Sequence, residues 1–348
     1  MPAMPTPATA TMARPVADRP ILLALDGSDL AGRAIPVAAD LARKRGAPLL
    51  VVRAVAHAGR HEIFGFHFES GIDEHAATEA YLARVAAEVR AGWPGLHVET
   101  TVPTGPVAHA LVATIRASRA QLTVLTTGGR SVAARMLRGS VAEDVVRATD
   151  DATLVLWPWV LGRMTALERS DDDVVPPPSP GLGRRILVPL DGSARTARVL
   201  PEAYRMARAA AGELVLLTAL DLHLYRRKHA ATIERTVHEA LDERAAIIRT
   251  SGVRARAIVT VLADPAAAIV EAAEREACDT IAMTTHARGP VGRFIFGSVA
   301  NQVAGRAGRP VLFTPPLADA VGHDLAVAYP DVPVPILDLA QSPHGRAA

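Results

Sequence analysis

Four short runs in this chain combine residue types that could do chemistry. Two place an acid, a glycine and a serine at the end of an apolar segment: Asp26-Gly27-Ser28 and Asp191-Gly192-Ser193. A carboxylate so placed can accept a hydrogen bond from a base or ribose group, or hold Mg²⁺ through water. The other two runs are glycine loops. Thr126-Thr127-Gly128-Gly129 is followed after nine residues by Gly139-Ser140, and Thr284-Thr285-His286-Ala287 after nine residues by Gly297-Ser298. Each loop lies between an apolar run and an amphipathic segment. Such a loop aims backbone N–H groups and a helix N-terminus at one point, which suits phosphate, and its Gly-Ser end adds an N-cap hydroxyl.

The elements that must position these residues occur twice. Ile21 to Leu25 and Ile186 to Leu190 read as buried first strands. Pro36 and Pro201 open helical stretches that close at Gly46 and Gly212, both expected just beyond the helix end. Second strands follow at Leu49 to Val55 and Leu214 to Leu220, then long amphipathic helices at Asp73 to Ala91 and Ala230 to Thr250. Third strands are expected at Val98 to Val102 and Ala257 to Val261, fourth at Leu122 to Leu125 and Thr280 to Met283, fifth at Thr153 to Trp157 and Val311 to Thr314. The spacing between copies shrinks from 165 residues at the Asp to 158 at the loop glycine, mostly at His57 to Gly71, which reads as a solvated loop.

Apolar strands alternating with helices imply two doubly wound five-stranded parallel-sheet α/β domains in tandem. In such folds ligands sit beyond the carboxyl ends of the strands, where Asp26, Asp191 and both loops fall. The expected organisation is a disordered stretch 1–19, a domain 20–160, a Pro- and Asp-rich linker 161–184, a domain 185–316 and a tail 317–348. That tail reads as extended or disordered, with Leu325 to Tyr329 and Val334 to Leu339 able to pack locally.

Composition narrows the function. Lys and Arg number 38 against 36 Asp and Glu, so no electrostatic case exists for nucleic acid or a membrane surface. No apolar run approaches the roughly 20 residues of a membrane-spanning helix, and a cytoplasmic protein is the expectation. The single cysteine, Cys278, reads as a packed small residue, and excludes an intrachain disulfide. His57, His61, His67 and His75 match no metal-ligand spacing, and solvated loop charge accounts for Arg130, Arg135, Arg138, Arg288 and Arg293. No P-loop, nucleophile elbow or dinucleotide fingerprint is present, so no enzyme activity beyond slow, incidental ATP hydrolysis is expected.

With these motifs in place, the chain resembles a tandem member of the universal stress protein family. The resemblance implies the nucleotide alpha-hydrolase-like fold already inferred, and ATP or a related adenine nucleotide as ligand in members that keep the loop glycines. It assigns the site position by position. In the first copy these are Asp26, Ala54, Thr126, Gly129, Gly139, Ser140 and Val141. In the second they are Asp191, Ala219, Thr284, His286, Ala287, Gly297, Ser298 and Val299. Thr126 and Thr284 replace the first loop glycine and Ala287 the second, so the first copy keeps more of the motif and is expected to bind if only one does. The resemblance further implies a stress-response regulator or sensor, pairing of the two domains through their last strands, and a homodimer. Two other readings stay open: a scaffold without nucleotide, and a weak hydrolase.

Overall fold

The computed structural model describes residues 18–56, 60–63, 66–69, 72–127, 141–149, 151–157, 160–161, 181–220, 230–285, 298–315 and 329–341. In the first copy the strands are β1 (Ile21–Ala24), β2 (Leu49–Val52), β5 (Val98–Thr101), β6 (Leu122–Thr126) and β7 (Thr153–Leu156). Its helices are α1 (Asp29–Gly32), α2 (Ile35–Arg45), α3 (Ile72–Gly92), α4 (Val107–Ser118) and α5 (Val141–Ala148). The second copy repeats the order. Its strands are β8 (Arg185–Pro189), β9 (Glu213–Leu220), β10 (Arg254–Val261), β11 (Thr280–Thr284) and β12 (Val311–Thr314). Its helices are α6 (Ala194–Ala197), α7 (Leu200–Ala209), α8 (Ala230–Thr250), α9 (Pro265–Arg275) and α10 (Ser298–Arg306).

Each half is a parallel sheet with β1 or β8 at its centre, and the two halves join into ten strands in the order β10-β9-β8-β11-β12-β7-β6-β1-β2-β5. The alternating pleat decides which side each residue faces. Ile21, Leu23, Leu49 and Val51 pack with residues of α2 and α3, whereas Leu22, Ala24, Leu50 and Val52 pack with residues of α4 and α5. Ile186 and Leu214 against α7 and α8, and Leu187 and Val215 against α9 and α10, repeat this division.

The join is antiparallel, with Val155 opposite Val311, Leu154 opposite Leu312 and Thr153 opposite Phe313. Both hydrophobic clusters run across it, and Trp157 and Phe313 are fully buried there. Side chains of that size contribute about 1.5–3 kcal/mol each when buried, so the seam is core and not a surface contact. On the helical face the seam also holds an ion pair between copies. Arg45 Nη2 of α2 stands 2.7 Å from Glu202 Oε1 of α7, with side chains only 5% and 0% exposed.

Three sequence expectations change. The stretch His57 to Gly71 contains a two-stranded antiparallel pair, β3 (Arg60–Ile63) and β4 (Phe66–Glu69), with Ile63 opposite Phe66, where a loop was expected. Gly46 closes α2 in the left-handed conformation as expected, but Gly212 does not do this for α7. Ala211 takes the positive φ of 49° instead, and Gly212 is needed for space: a Cβ there would lie 1.9 Å from the carbonyl oxygen of Gly183. The backbone leading into β8 passes directly over it.

The tail is the third. Val334–Gln341 forms a helix, α11, and Ile336, Leu337, Leu339 and Ala340 are buried with residues of α7 and α8 in one cluster. Before it, Asp331 is gripped by Arg205 of α7, whose Nε donates to Oδ1 at 2.9 Å and to Oδ2 at 3.0 Å, with a further bond from Nη2. Burial works to raise the Asp331 carboxyl, but the Arg205 hydrogen bonds and charge outweigh it and hold it below its ordinary value. A depressed carboxyl stabilises the fold above its unfolded pKa, about 3.9, and that stabilisation is lost as pH falls through the folded value. Amide exchange in α11 should therefore accelerate below about pH 4 before that of β8, and Asp331→Asn should show the fast exchange already at neutral pH.

Candidate functional site

Both Asp-Gly-Ser turns fall where the central strands end, and the same local bonds build them. In the first, Asp26 Oδ1 accepts from Ser28 N at 2.9 Å and from Ser28 Oγ at 2.6 Å. Ser28 Oγ in turn caps α1, accepting from Ala31 N at 3.1 Å. In the second, Asp191 Oδ1 accepts from Ser193 N at 2.9 Å and Thr196 Oγ1 at 2.7 Å, and Ser193 Oγ caps α6. Gly27 and Gly192 have φ of +84° and +85°, a conformation L side chains rarely adopt, so the turn requires glycine at both. Oδ1 is thus spent on the turn, and Oδ2 takes part in none of these bonds. Both carboxylates are exposed.

Electrostatics separate the copies. Burial tends to raise the Asp191 carboxyl, but the bonds from Ser193 and Thr196 prevail and lower it, so it is ionised at neutral pH. The first copy has Ala31 where the second has Thr196. It has instead a cationic cover, Arg53, at the position matched by Thr218. A Cβ on Gly27 would lie 2.5 Å from Arg53 Nη1, so the guanidinium rests on the turn. Arg53 also lies over the Tyr81 ring at 5.3 Å, with Arg84 at 5.6 Å. Burial raises the Tyr81 hydroxyl pKa, Arg53 opposes this, and Asp26 adds to it, which places all three in one field. In the second copy the Thr218 hydroxyl turns inward to the Leu190 carbonyl at 2.8 Å, and none of the described residues lies within 4 Å of a Cβ on Gly192. Among the described residues, the first turn is covered by Arg53 and the second has no such cover.

The remaining predicted positions divide. Ala54 lies just past β2 and Ala219 within β9, both partly buried. Thr126 ends β6 opposite Leu156, and Thr284 ends β11 opposite Thr314. Next to Thr126, Thr127 is 4% exposed and its hydroxyl has no hydrogen-bond partner among the described residues. Val141 opens α5, and Ser298 and Val299 open α10, so both helices begin where the loops return. The first turn of α5 carries Glu143 and Asp144, whereas that of α10 carries no acid. Acids at a helix start compete with a bound phosphate, which favours the second copy on charge. Gly129, Gly139, Ser140, His286, Ala287 and Gly297 lie outside the described residues.

Arg53 and Thr196 are the residues of this region that sequence reading missed. Their signal was available as the pairs Arg53/Thr218 and Ala31/Thr196, where the two copies differ inside otherwise matching segments. Cys278 is 1% exposed, and burial pushes its thiol up to about 12, which removes it as a nucleophile. Among the described residues no helix is long and apolar enough to cross a membrane.

Comparison with known proteins agrees with this architecture. The model of the universal stress protein family matches residues 19–156 and 183–315. Universal stress protein Rv2005c of Mycobacterium tuberculosis and universal stress protein Mb2028c of Mycobacterium bovis are each 33% identical over 129 residues. That match covers 37% of this chain and 42% of each relative, so the chain spans about two fifths of their length. A universal stress protein from Archaeoglobus fulgidus superposes with a TM-score of 0.62 at 20% identity, covering 86% of this chain and 98% of that one. One described as a universal stress protein from Pseudomonas aeruginosa gives 0.59 at 18%, covering 86% and 94%. At these identities the structures speak for the fold.

Proposed function

The chain belongs to the universal stress protein family, and from that premise we propose that it binds an adenine nucleotide, ATP foremost, at the carboxyl ends of β1 and β8. One observation carries the proposal. Asp26 and Asp191 sit in two independently built turns at equivalent points of a duplicated sheet, each with Oδ1 used by the turn and Oδ2 outside it. A free carboxylate oxygen beside a glycine of positive φ suits a ribose or base donor, or Mg²⁺ held through water. The strand-end threonines and the starts of α5 and α10 would flank the phosphates. Binding rather than turnover is the role, as a stress-response regulator or sensor.

A scaffold reading has one observation behind it. The last strands, β7 and β12, are consumed by pairing with each other inside the chain. Self-association would therefore use a different surface from the strand edge usually invoked for domain pairing.

Native mass spectrometry of protein purified without added ligand should reveal an adenine nucleotide, and Asp26→Ala/Asp191→Ala should be purified without it. Wild-type protein with neither bound nucleotide nor affinity for added ATP would sink the proposal.

A further inference from the structure

At the carboxyl ends of the strands the two copies differ by a group of side chains that changes together. Arg53 directly follows β2, and its N–H donates to the Thr101 carbonyl of β5 at 3.4 Å, so its backbone stays in the sheet. Its side chain reaches back over the end of β1. Nη1, Cζ and Nη2 lie 2.5, 2.6 and 3.0 Å from where a Cβ on Gly27 would stand. The guanidinium also lies over the Tyr81 ring of α3, which Arg84 approaches as well.

The long helices identify the counterparts. Arg90 of α3 donates to the Val98 carbonyl at 2.7 Å, and Arg249 of α8 donates to the Ala255 carbonyl at 2.8 Å. With these two arginines matched, Leu82, Ala86 and Val89 fall against Leu241, Ala245 and Ile248, and all six are buried. The same match sets Tyr81 against Ala240 and Arg84 against Glu243, as Arg53 stands against Thr218. The second copy therefore lacks the guanidinium and the ring that holds it, and carries an acid in place of the second cation.

Position decides what the group does. β1 lies between β6 and β2. The threonine ending β6 would meet the phosphates, so a bound nucleotide presents its ribose and base toward the end of β2. Arg53 occupies that side, beside the carboxylate the ribose would use and next to Ala54. Resting on the nucleotide reading above, we propose that Arg53 sets the affinity of the first copy. Held on the Asp26 turn by Tyr81, it must be displaced before the nucleoside seats, so the second copy fills first. Apparent affinity falls with the fraction of time a site is competent. A guanidinium held on a ring at a partly exposed site corresponds to about two- to fivefold in a binding constant. Two unequal sites respond over a wider span of nucleotide concentration than two equal ones.

The test is calorimetric titration of ATP into the full chain, with Asp191→Ala weakening the second copy so that the first is read, and Asp26→Ala the reverse. The second copy should bind more tightly. Arg53→Thr added to Asp191→Ala should tighten binding about two- to fivefold. Arg53→Met keeps the stem against Tyr81 without the charge, and should do the same if the threonine variant is unstable. Tyr81→Leu, which removes the ring that holds Arg53, should also tighten binding, but not in a protein already carrying Arg53→Thr. A purely structural role for either residue would not produce that dependence. Weaker binding in Arg53→Thr would make Arg53 a ligand contact and overturn the proposal. Equal affinity of the two copies, unchanged by Arg53→Thr, would overturn it too, and in both cases the nucleotide reading would stand. Absence of ATP binding in every protein, wild type included, would remove that reading and this inference together.

Discussion

Gly212→Ala is expected to destabilise the protein by about 3 kcal/mol, the upper range for forcing an extra methyl into a packed site. The methyl would lie 1.9 Å from the Gly183 carbonyl oxygen, 2.8 Å from that of Arg184 and 2.9 Å from Arg184 Cα. All three are backbone atoms, so no side chain can swing aside. Gly183 cannot yield easily, because it is itself at φ +83° with a Cβ position 2.9 Å from the Met206 carbonyl oxygen. Relief requires pulling the start of β8 away from β9, where Glu213 N donates to the Arg184 carbonyl. Gly46→Ala is the contrast, since none of the described residues lies within 4 Å of its Cβ and the left-handed φ of +60° is what penalises it. That substitution should cost about 1–2 kcal/mol. Denaturant unfolding of the two variants checks the difference; a Gly212→Ala variant as stable as Gly46→Ala contradicts it.

Arg45→Met should cost about 3–5 kcal/mol, because removing one member of a buried ion pair leaves the other charge uncompensated. Glu202 is fully buried, and with Arg45 gone its remaining cation is Arg205 at 3.6 Å, already committed to Asp331. Among the described residues neither carboxylate oxygen of Glu202 accepts a well-aligned hydrogen bond, so Arg45 at 2.7 Å is its main compensation. Arg45→Met/Glu202→Leu should recover most of the loss, since well-packed apolar residues often replace a buried pair without penalty. Midpoints of the single and double variants, read as a mutant cycle, decide it. A single variant of wild-type stability would mean that the pair does not join the copies.

These two features show where sequence reading stopped. The strands were legible because their apolar runs recur with turn residues at fixed offsets, and β12, Val311–Thr314, matches its expected bounds. Val334 to Leu339 was legible as a segment able to pack locally, but not as the helix α11. Its docking was not legible either, because nothing in the local sequence links Asp331 to Arg205, 126 residues away. Gly212 looked like a helix terminator, since glycine at a helix end usually supplies positive φ. Only the packing of β8 beside it reveals a steric role. Likewise the pairing of Arg45 with Glu202 emerges only when α2 and α7 are laid together across the seam.

The site was legible in part. The Asp turns announce themselves through residue type and strand position, and their hydrogen bonds follow from an Asp followed two residues later by Ser. The asymmetry between copies did not. Counting glycines favours the first copy, whereas the Arg53 cover over Gly27 and the acids opening α5 favour the second. Those effects depend on where side chains settle, which motif matching does not see.

Calorimetric titration of ATP into the full chain, its Asp26→Ala and Asp191→Ala forms and the double variant, tests the central claim most directly. Each carboxylate contributes a charged hydrogen bond of about 1.5–3 kcal/mol, so its loss should weaken its own copy about tenfold or more. Saturable binding that each single variant reduces and the double variant removes is the expected result. Binding of equal strength and stoichiometry in all four proteins would contradict nucleotide recognition at the ends of β1 and β8.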